Sequence, residues 1–200
     1  MDCMEGMKEI PDKYFELAIV DPPYGIGEDG GRFRDRKGGG HRVLPKKSWD
    51  NKTPDAEYFN ELIRISKNQI IWGGNYFTDK IPMSRGWVYW EKLMGGDFSD
   101  GELAWTSFSK PLKQFTFCNK YHGKVHPTQK PVELYKWLLK NYAKPGDKIL
   151  DTHVGSASSL IACYDLGFEY LGFELDPDYY KVATERLNKH MSQLNLLIDF

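Results

Sequence analysis

The stretch KILDTHVGSASSLIACYDLGFEYLGFE, residues 148 to 174, has the pattern of a strand, a loop, a helix and a second strand. The runs Lys148 to Leu150 and Tyr170 to Phe173 are short and mostly apolar, and each predicts a strand. Between them, Ser158 to Leu166 predicts a helix. Strand, helix and strand in this order favour a right-handed βαβ unit and a layered α/β fold.

The loop of this unit, Asp151 to Ser158, consists mostly of small residues. They let a ligand approach the backbone, and the free N–H groups at the start of the helix favour an anion such as a carboxylate. Glu174 lies 23 residues after Asp151 (174 − 151), where an acid can accept hydrogen bonds from ribose hydroxyls. The unit predicts a site for an adenosine-bearing ligand. Taken alone, this unit is also compatible with a site for a nicotinamide dinucleotide, or with a loop that only packs tightly.

A second strand end has a different chemistry. Phe15 to Val20 is a continuous apolar run, too short for a helix, and predicts a buried parallel strand. It is followed by Asp21-Pro22-Pro23-Tyr24, whose prolines must end the strand. Open α/β sheets bind ligands outside the carboxyl ends of their strands. We therefore expect a reaction centre here.

Asp21 to Tyr24 suit the methylation of an amino group on an aromatic base. Such a group is a poor nucleophile, because its lone pair is delocalised into the ring. The Asp21 carboxylate and the Pro22 carbonyl could accept its two N–H bonds and draw it toward a tetrahedral geometry. The double proline fixes the carbonyl, and the Tyr24 ring can stack on the base. A proline turn with a packed tyrosine is the structural alternative.

The rest of the chain continues the alternation of strands and helices. Further strands are predicted at Gln69 to Trp72, Trp87 to Trp90, Leu103 to Phe108 and Phe115 to Phe117. Further helices are predicted after a capping box at Asp2 and Glu5, around Tyr58 to Ile65, from Pro131 onward, and after a cap at Asp176.

Length and composition predict one soluble, cytoplasmic domain over residues 1 to 200. The chain has no run of about 18 apolar residues, which argues against a membrane span. Its 3 cysteines are too few and too scattered for a disulfide frame or a metal cage. We therefore expect no metal.

Residues 28 to 52 predict a flexible basic loop, although the net charge of the chain is only −1. Its basic residues are Arg32, Arg34, Arg36, Lys37, Arg42, Lys46 and Lys47. Because this loop directly follows Asp21 to Tyr24, we expect it to bind DNA phosphates. A solvated surface loop is the alternative.

Together the motifs resemble the β-class amino-group DNA methyltransferases. The matching features, in order, are Asp21-Pro22-Pro23-Tyr24, His126-Pro127-Thr128-Gln129-Lys130-Pro131, the Asp151 to Ser158 loop, and Gly172-Phe173-Glu174. In the β class the catalytic run precedes the cofactor loop, whereas relatives that methylate protein glutamine have the reverse order. The resemblance implies a Rossmann-like fold with a mostly parallel seven-stranded sheet, one antiparallel strand and helices on both faces.

The resemblance also implies site residues. Asp21, Pro22, Pro23 and Tyr24 would hold the target base. S-adenosylmethionine would be bound by Asp2, Cys3, Thr128, Lys130, Asp151, Thr152, Gly155, Ser156, Ala157 and Glu174. Of these, Thr128 and Lys130 would bind the methionine carboxylate and Glu174 the ribose, while Asp2 and Cys3 would contact adenine.

Some features depart from the family pattern. The cofactor loop usually runs Asp-Pro-Phe and then Gly-Ser-Gly, and here Thr152, His153 and Ala157 replace three of those positions. The family usually also has a strand just before the position of Asp2. No large separate target-recognition domain is expected in this chain.

The resemblance implies a site-specific DNA methyltransferase that acts on N6 of adenine, with the base flipped out of the helix. Asp at position 21 favours adenine, since cytosine-modifying members more often have Ser there. The alternatives are an N4-cytosine enzyme, a nucleotide-dependent oxidoreductase, and a nucleic-acid-binding module that has lost its cofactor. RNA and protein substrates are also open. Relatives of this kind are often homodimers, and a restriction nuclease is the partner expected in a restriction-modification system.

Overall fold

The strand Phe15–Val20 (β1) lies inside a seven-stranded sheet whose order is β5-β3-β4-β2-β1-β6-β7. The structure is a computed structural model that describes residues 1–31, 44–93, 99–118 and 124–198, with side chains up to residue 193. The other strands are Ser66–Trp72 (β2), Trp87–Glu91 (β3), Gly101–Thr106 (β4), Lys113–Thr116 (β5), Lys148–Asp151 (β6) and Glu169–Gly172 (β7). Only β4 runs antiparallel to its neighbours, which confirms the predicted sheet.

Helices cover both faces of the sheet. They are Cys3–Lys8 (α1), Ala56–Ile65 (α2), Val132–Tyr142 (α3), Ser158–Leu166 (α4) and Pro177–Ile198 (α5). Leu17 and Ile19 of β1 pack in a core with α3 and α4, whereas Ala18 and Val20 pack with α1 and α2. Both sets are buried because side chains alternate across a strand, so a central strand reads as an unbroken apolar run.

Several element boundaries differ from the sequence prediction. β2 begins at Ser66, three residues earlier than predicted, because α2 passes into it without a loop. β4 ends at Thr106 rather than Phe108, since Ser107 turns its hydroxyl to the backbone N–H of Gln69. Strand pairing, and not apolarity alone, sets these ends.

The sheet brings several chain segments to one edge. β1 and β6 are parallel neighbours, with Leu17 opposite Ile149, so Asp21 and Asp151 leave the sheet on the same side. β7 pairs in parallel with β6, and Glu174 follows it at that side. Because β4 is antiparallel, its beginning lies at this edge too.

Candidate active site

A cavity of about 900 Å³ opens at the carboxyl edge of β1, β6 and β7. Many of the predicted site residues line it, namely Asp2, Cys3, Asp21, Pro23, Lys46, Lys47, Thr128, Lys130, Thr152, Gly155, Ser156 and Glu174. Its size is in the range of small-molecule and cofactor sites. The two predicted halves of the site therefore share one space.

Four predicted residues lie beside this cavity without lining it. Pro22 is buried at the end of β1, and Tyr24 points to a neighbouring polar cluster. Asp151 is 2% exposed, and its carboxylate accepts hydrogen bonds from the His153 N–H and the Ser159 hydroxyl. Ala157 has a left-handed backbone (φ 61°) and precedes the first turn of α4. Asp151 and Ala157 thus shape the loop from behind.

Glu174 connects the cofactor loop to the start of α5. Its carboxylate accepts hydrogen bonds from the N–H groups of Gly155 (2.8 Å) and Asp176 (2.9 Å). Burial raises the pKa of this carboxyl group. A carboxylate has about four lone-pair sites, so two acceptor positions remain for a ligand.

The unusual loop residues Thr152 and His153 are held by Tyr58 of α2. The Thr152 hydroxyl shares hydrogen bonds with the Tyr58 hydroxyl (2.6 Å) and with His153 Nδ1 (2.9 Å). The His153 ring packs edge-on against Tyr58, with 5.4 Å between centroids. Burial lowers the pKa of His153 to about 4, so the ring is neutral at pH 7. His153 acts here as a packed ring.

Asp21 lies in a buried cluster of opposite charges. Its Oδ1 accepts from the Tyr24 hydroxyl (2.6 Å) and its Oδ2 from Lys130 Nζ (2.5 Å). Lys130 is also 3.0 Å from Glu102 Oε2, and Lys92 is 2.5 Å from Glu102 Oε1. Burial raises the pKa of Asp21, while Lys130 acts against that rise. Burial also acts to raise the pKa of Glu102, but Lys130 and Lys92 hold it at about 2.

Tyr24 is fixed through both its ring and its backbone. The ring stacks on Tyr76 at 5.0 Å and lies against Gly73. The buried Asp50 carboxylate accepts from the N–H groups of Tyr24 (2.7 Å), Gly25 (2.8 Å) and Glu28 (2.8 Å). The base-stacking face predicted for Tyr24 is thus in contact with the protein's own residues in this conformation.

An aromatic wall closes another side of the cavity. Trp49 stacks on His126 with 5.3 Å between centroids, and His126 meets the edge of Tyr179 at 4.3 Å. Burial lowers the pKa of His126 to about 4. Trp49 lies near the end of the predicted basic loop and Tyr179 is in α5. Contacts between distant segments therefore form this wall.

The predicted phosphate-binding residues are only partly described. Arg32, Arg34, Arg36, Lys37 and Arg42 lie outside the described residues. Lys46 pairs with Asp29, and Lys47 pairs with Asp176 (3.0 Å) and Asp178 (2.7 Å). Both lysines therefore already hold carboxylates of this chain.

Sequence reasoning assigned no role to Glu102, Asp50, Trp49 or Tyr179. Asp50 had a weak signal, as one of the few acids within the predicted basic loop. Glu102 had none, because its place depends on the antiparallel pairing of β4. Over the described part of the chain, no group of three or more His, Cys, Asp or Glu could hold a metal ion, and no helix could span a membrane.

These features define a Rossmann-like α/β protein with a ligand cavity at the carboxyl ends of its strands. The chain belongs to the DNA methylase family (N6_N4_Mtase), whose model matches residues 71–185.

Similar relatives and solved structures are consistent with this family assignment. The type II methyltransferase M.HpaI of Haemophilus parainfluenzae is 23% identical over 242 residues, which span 96% of this chain and 74% of that protein. The crystal structure of the M1.HpyAVI–SAM complex superposes with a TM-score of 0.65 at 17% identity, covering 94% of this chain and 96% of that one. The cytosine-N4-specific PvuII DNA methyltransferase has a TM-score of 0.62 at 14% identity, covering 100% and 91%. At these identities the structural likeness shows the fold.

Proposed function

We propose that this chain transfers the methyl group of S-adenosylmethionine to the exocyclic amino group (N6) of adenine in DNA. The observation that supports this most is that Asp21 lines the same cavity as the Gly155 and Glu174 loop. A methyl acceptor held at Asp21 would thus share one space with a ligand held at Glu174. The family match begins at residue 71, after Asp21 to Tyr24, so the role of that run depends on this geometry.

The residues of the cavity suit S-adenosylmethionine. Glu174 has acceptor positions left for ribose hydroxyls, and Asp2 and Cys3 line the cavity near it. Thr128 and Ser156 offer hydroxyls for the methionine part. When bound, the cofactor supplies an electrophilic methyl group on a sulfonium. The M1.HpyAVI structure is a complex with SAM, which supports this assignment.

The chain's own residues would orient the amino group and receive its proton. The Asp21 carboxylate accepts one N–H bond and the Pro22 carbonyl the other, which holds the nitrogen lone pair toward the cavity. A new N–C bond would form as the bond between the methyl group and the sulfonium sulfur breaks, and the nitrogen would then lose one proton. Asp21 would already accept a hydrogen bond from this group, and burial raises its pKa, which makes it a better proton acceptor.

A base inside a duplex could not reach Asp21, whose side chain is only 15% exposed. We therefore expect the target base to leave the stack, at a cost of a few kcal/mol. DNA with 2-aminopurine at the target position should gain fluorescence when the chain binds. Unchanged fluorescence would contradict base flipping if the chain methylates the same DNA sequence when it contains the normal target base.

N4 of cytosine is the second candidate target. The family name N6_N4_Mtase includes both target atoms, and the PvuII enzyme is cytosine-N4-specific. We propose adenine over cytosine because Asp at position 21 resembles the adenine-modifying members. Cytosine-modifying members more often have Ser at that position.

The test is mass spectrometry of nucleosides after reaction of the chain with a mixture of unmethylated DNA and RNA. We expect N6-methyladenosine in the deoxy form. Methylated cytosine would select the second candidate, and methylated ribonucleosides would contradict DNA as substrate. The matched control is Asp21→Ala, which should lower transfer by at least about a thousandfold while S-adenosylmethionine still binds.

A restriction-modification role is also proposed, with a nuclease as partner. The relative M.HpaI is named a type II methyltransferase, which supports this role. DNA from cells that express the active chain should resist a nuclease of the same recognition sequence. Methylation of DNA at a sequence that no restriction nuclease cleaves would contradict this role.

A further inference from the structure

We propose that Glu102 is a positioning residue that frees Asp21 for the target amino group, by accepting the two donors that otherwise occupy Asp21. This inference rests on the proposed function, because it concerns how Asp21 becomes available to a substrate. It assigns to β4 a part in the reaction.

Both oxygens of Asp21 are occupied in the structure. The Tyr24 hydroxyl donates to Oδ1 at 2.6 Å and Lys130 Nζ donates to Oδ2 at 2.5 Å. An amino group that enters the site needs at least one of these oxygens as its acceptor. Each oxygen keeps a lone-pair site, but an oxygen that is shared with a hydroxyl or an ammonium is a weaker acceptor for the amino group. The amino group is held more firmly when one donor moves away, and a moved donor needs a new partner, since Lys130 is 3% exposed.

Glu102 Oε2 is within reach of both donors. It lies 3.0 Å from Lys130 Nζ and 3.2 Å from the Tyr24 hydroxyl. A small rotation of either side chain exchanges one carboxylate for the other, without leaving a buried ammonium or hydroxyl unpaired. Among the described residues, this oxygen is within reach of both donors that bind Asp21, the Tyr24 hydroxyl and Lys130 Nζ.

Lys92 keeps that oxygen in place. Its Nζ is 2.5 Å from Glu102 Oε1, so Glu102 presents Oε2 toward Lys130. These ion pairs join the two carboxylates to two ammonium groups, and a move of Lys130 from one carboxylate to the other leaves the number of charges in the cluster unchanged. With Glu102 neutral, Lys130 would have Asp21 as its one carboxylate, and its hold on Asp21 would tighten.

The antiparallel strand explains why Glu102 can do this. Glu102 is the second residue of β4 and lies opposite Trp90 of β3. Since β4 runs against β2, its beginning meets the end of β2 and the carboxyl edge where Asp21 lies. A parallel strand would have brought its last residues to this place instead.

The charge of Glu102 also affects the acid range of the reaction. In the described part of the chain, the charged and titratable groups around Asp21 are Tyr24, Tyr58, Glu102, Lys130, Tyr135 and Asp151, with Lys92 and Lys124 beyond Glu102. Among them Glu102 raises the pKa of Asp21 and Lys130 lowers it. Removal of the Glu102 charge should therefore lower the pKa of Asp21, and the acid limb of the pH–rate profile should move to lower pH.

The experiment compares the full chain with Glu102→Gln, using single-turnover transfer of radiolabelled methyl groups to unmethylated DNA and calorimetry of S-adenosylmethionine binding. We expect the transfer rate at pH 7.5 to fall by at least about tenfold, with cofactor Kd unchanged and the acid limb at lower pH. The matched control is Glu91→Gln on β3, whose carboxylate bonds to Gln114 and Thr116 away from this cluster. It should transfer methyl groups at the wild-type rate.

A wild-type rate and pH profile for Glu102→Gln would overturn the inference, as would parallel loss of rate, cofactor binding and melting temperature, which marks a purely structural role. If Glu102→Gln does not fold, Glu102→Asp is the variant that tests the inference. It keeps the charge on a shorter side chain, so we expect a lowered rate with an unmoved acid limb, and a wild-type rate would overturn the inference. A wild-type chain that methylates no nucleic acid would instead overturn the proposed function.

Discussion

At the scale of single residues, two carboxylates at neighbouring strand ends behave differently because their partners differ. Asp21 faces the ammonium of Lys130, which acts against the rise in pKa that burial causes. Asp151 accepts from two neutral donors, the Ser159 hydroxyl and the His153 N–H. No cation of the described residues acts against burial here, and burial raises the pKa of Asp151 to about 7.

This difference predicts how stability depends on pH. The unfolded chain releases the Asp151 proton near pH 3.8, but the folded chain keeps it until about pH 7. The folded state binds more protons between these values, so Asp151 makes stability fall as pH rises through this window. Asp151→Asn should be more stable than wild type at pH 8 by a few kcal/mol at most, at about 1.4 kcal/mol per pKa unit, and equal to it at pH 3.5.

Thermal melting from pH 3.5 to 8 measures this effect, and Asp147→Asn on the preceding surface turn is the control. A stability difference that does not change with pH would show that Asp151 is ionised throughout.

At the scale of elements, the turn after β2 holds the ring of Tyr24. Gly73 has a left-handed backbone (φ 69°), and a Cβ there would lie 2.2 Å from Tyr24 Cε1. Gly73→Ala should therefore displace Tyr24, lower stability by about 2 to 3 kcal/mol from strain and overpacking together, and slow methyl transfer. Gly146→Ala is the control that measures backbone strain alone, because Gly146 has φ 86° and no atom lies within 4 Å of a Cβ placed there. Denaturant unfolding of both variants measures the comparison. Equal losses would mean that Tyr24 is not constrained by this contact.

The segment after Tyr24 is held by one buried side chain. Asp50 accepts three backbone N–H groups there, so Asp50→Ala leaves those donors unpaired. We expect a loss of about 2 to 4 kcal/mol in unfolding free energy and a lower transfer rate. Asp55→Ala is the matched control, since Asp55 precedes α2 but makes no side-chain capping bond. Circular dichroism in urea checks both variants, and a neutral Asp50→Ala would refute the anchoring role.

How far the sequence predicts these elements depends on how local their causes are. The helix Ser158–Leu166 and the strand Phe15–Val20 agree with their predicted bounds, because apolar runs and small residues define them locally. The seven-stranded sheet was implied by the ordered motifs. Glu102 was not predicted at the site, because its position depends on a pairing between β3 and β4 that no local pattern encodes. The observed bounds of the edge strand β5 differ from the predicted ones for the same reason, since they follow its register with β3.

At the scale of the whole molecule, the cavity is built from segments that are far apart in the chain. Its lining includes Asp2, Trp49, His126, Gly155 and Tyr179. Some of these segments contact each other in the cavity wall, as Trp49 contacts His126 and His126 contacts Tyr179. A ligand that fills this space should therefore join the segments and stabilise the fold as a unit.

S-adenosylmethionine at a hundred times its Kd should stabilise the chain by about 2.7 kcal/mol, since a ligand that binds only the folded state adds RT ln(1 + [L]/Kd). The rise in melting temperature should be smaller at equal cofactor concentration for Trp49→Leu, because the aromatic wall loses one of its members and Kd rises. Trp137→Leu, which alters a tryptophan of α3 away from the cavity, should leave the ligand-induced rise unchanged even where it lowers the starting temperature. NADH provides the opposite test: a nucleotide-dependent oxidoreductase would be stabilised by it, whereas a methyltransferase site should respond to S-adenosylmethionine alone. A rise with NADH and none with S-adenosylmethionine would mean that the cavity holds a different cofactor and that Asp21 serves another reaction.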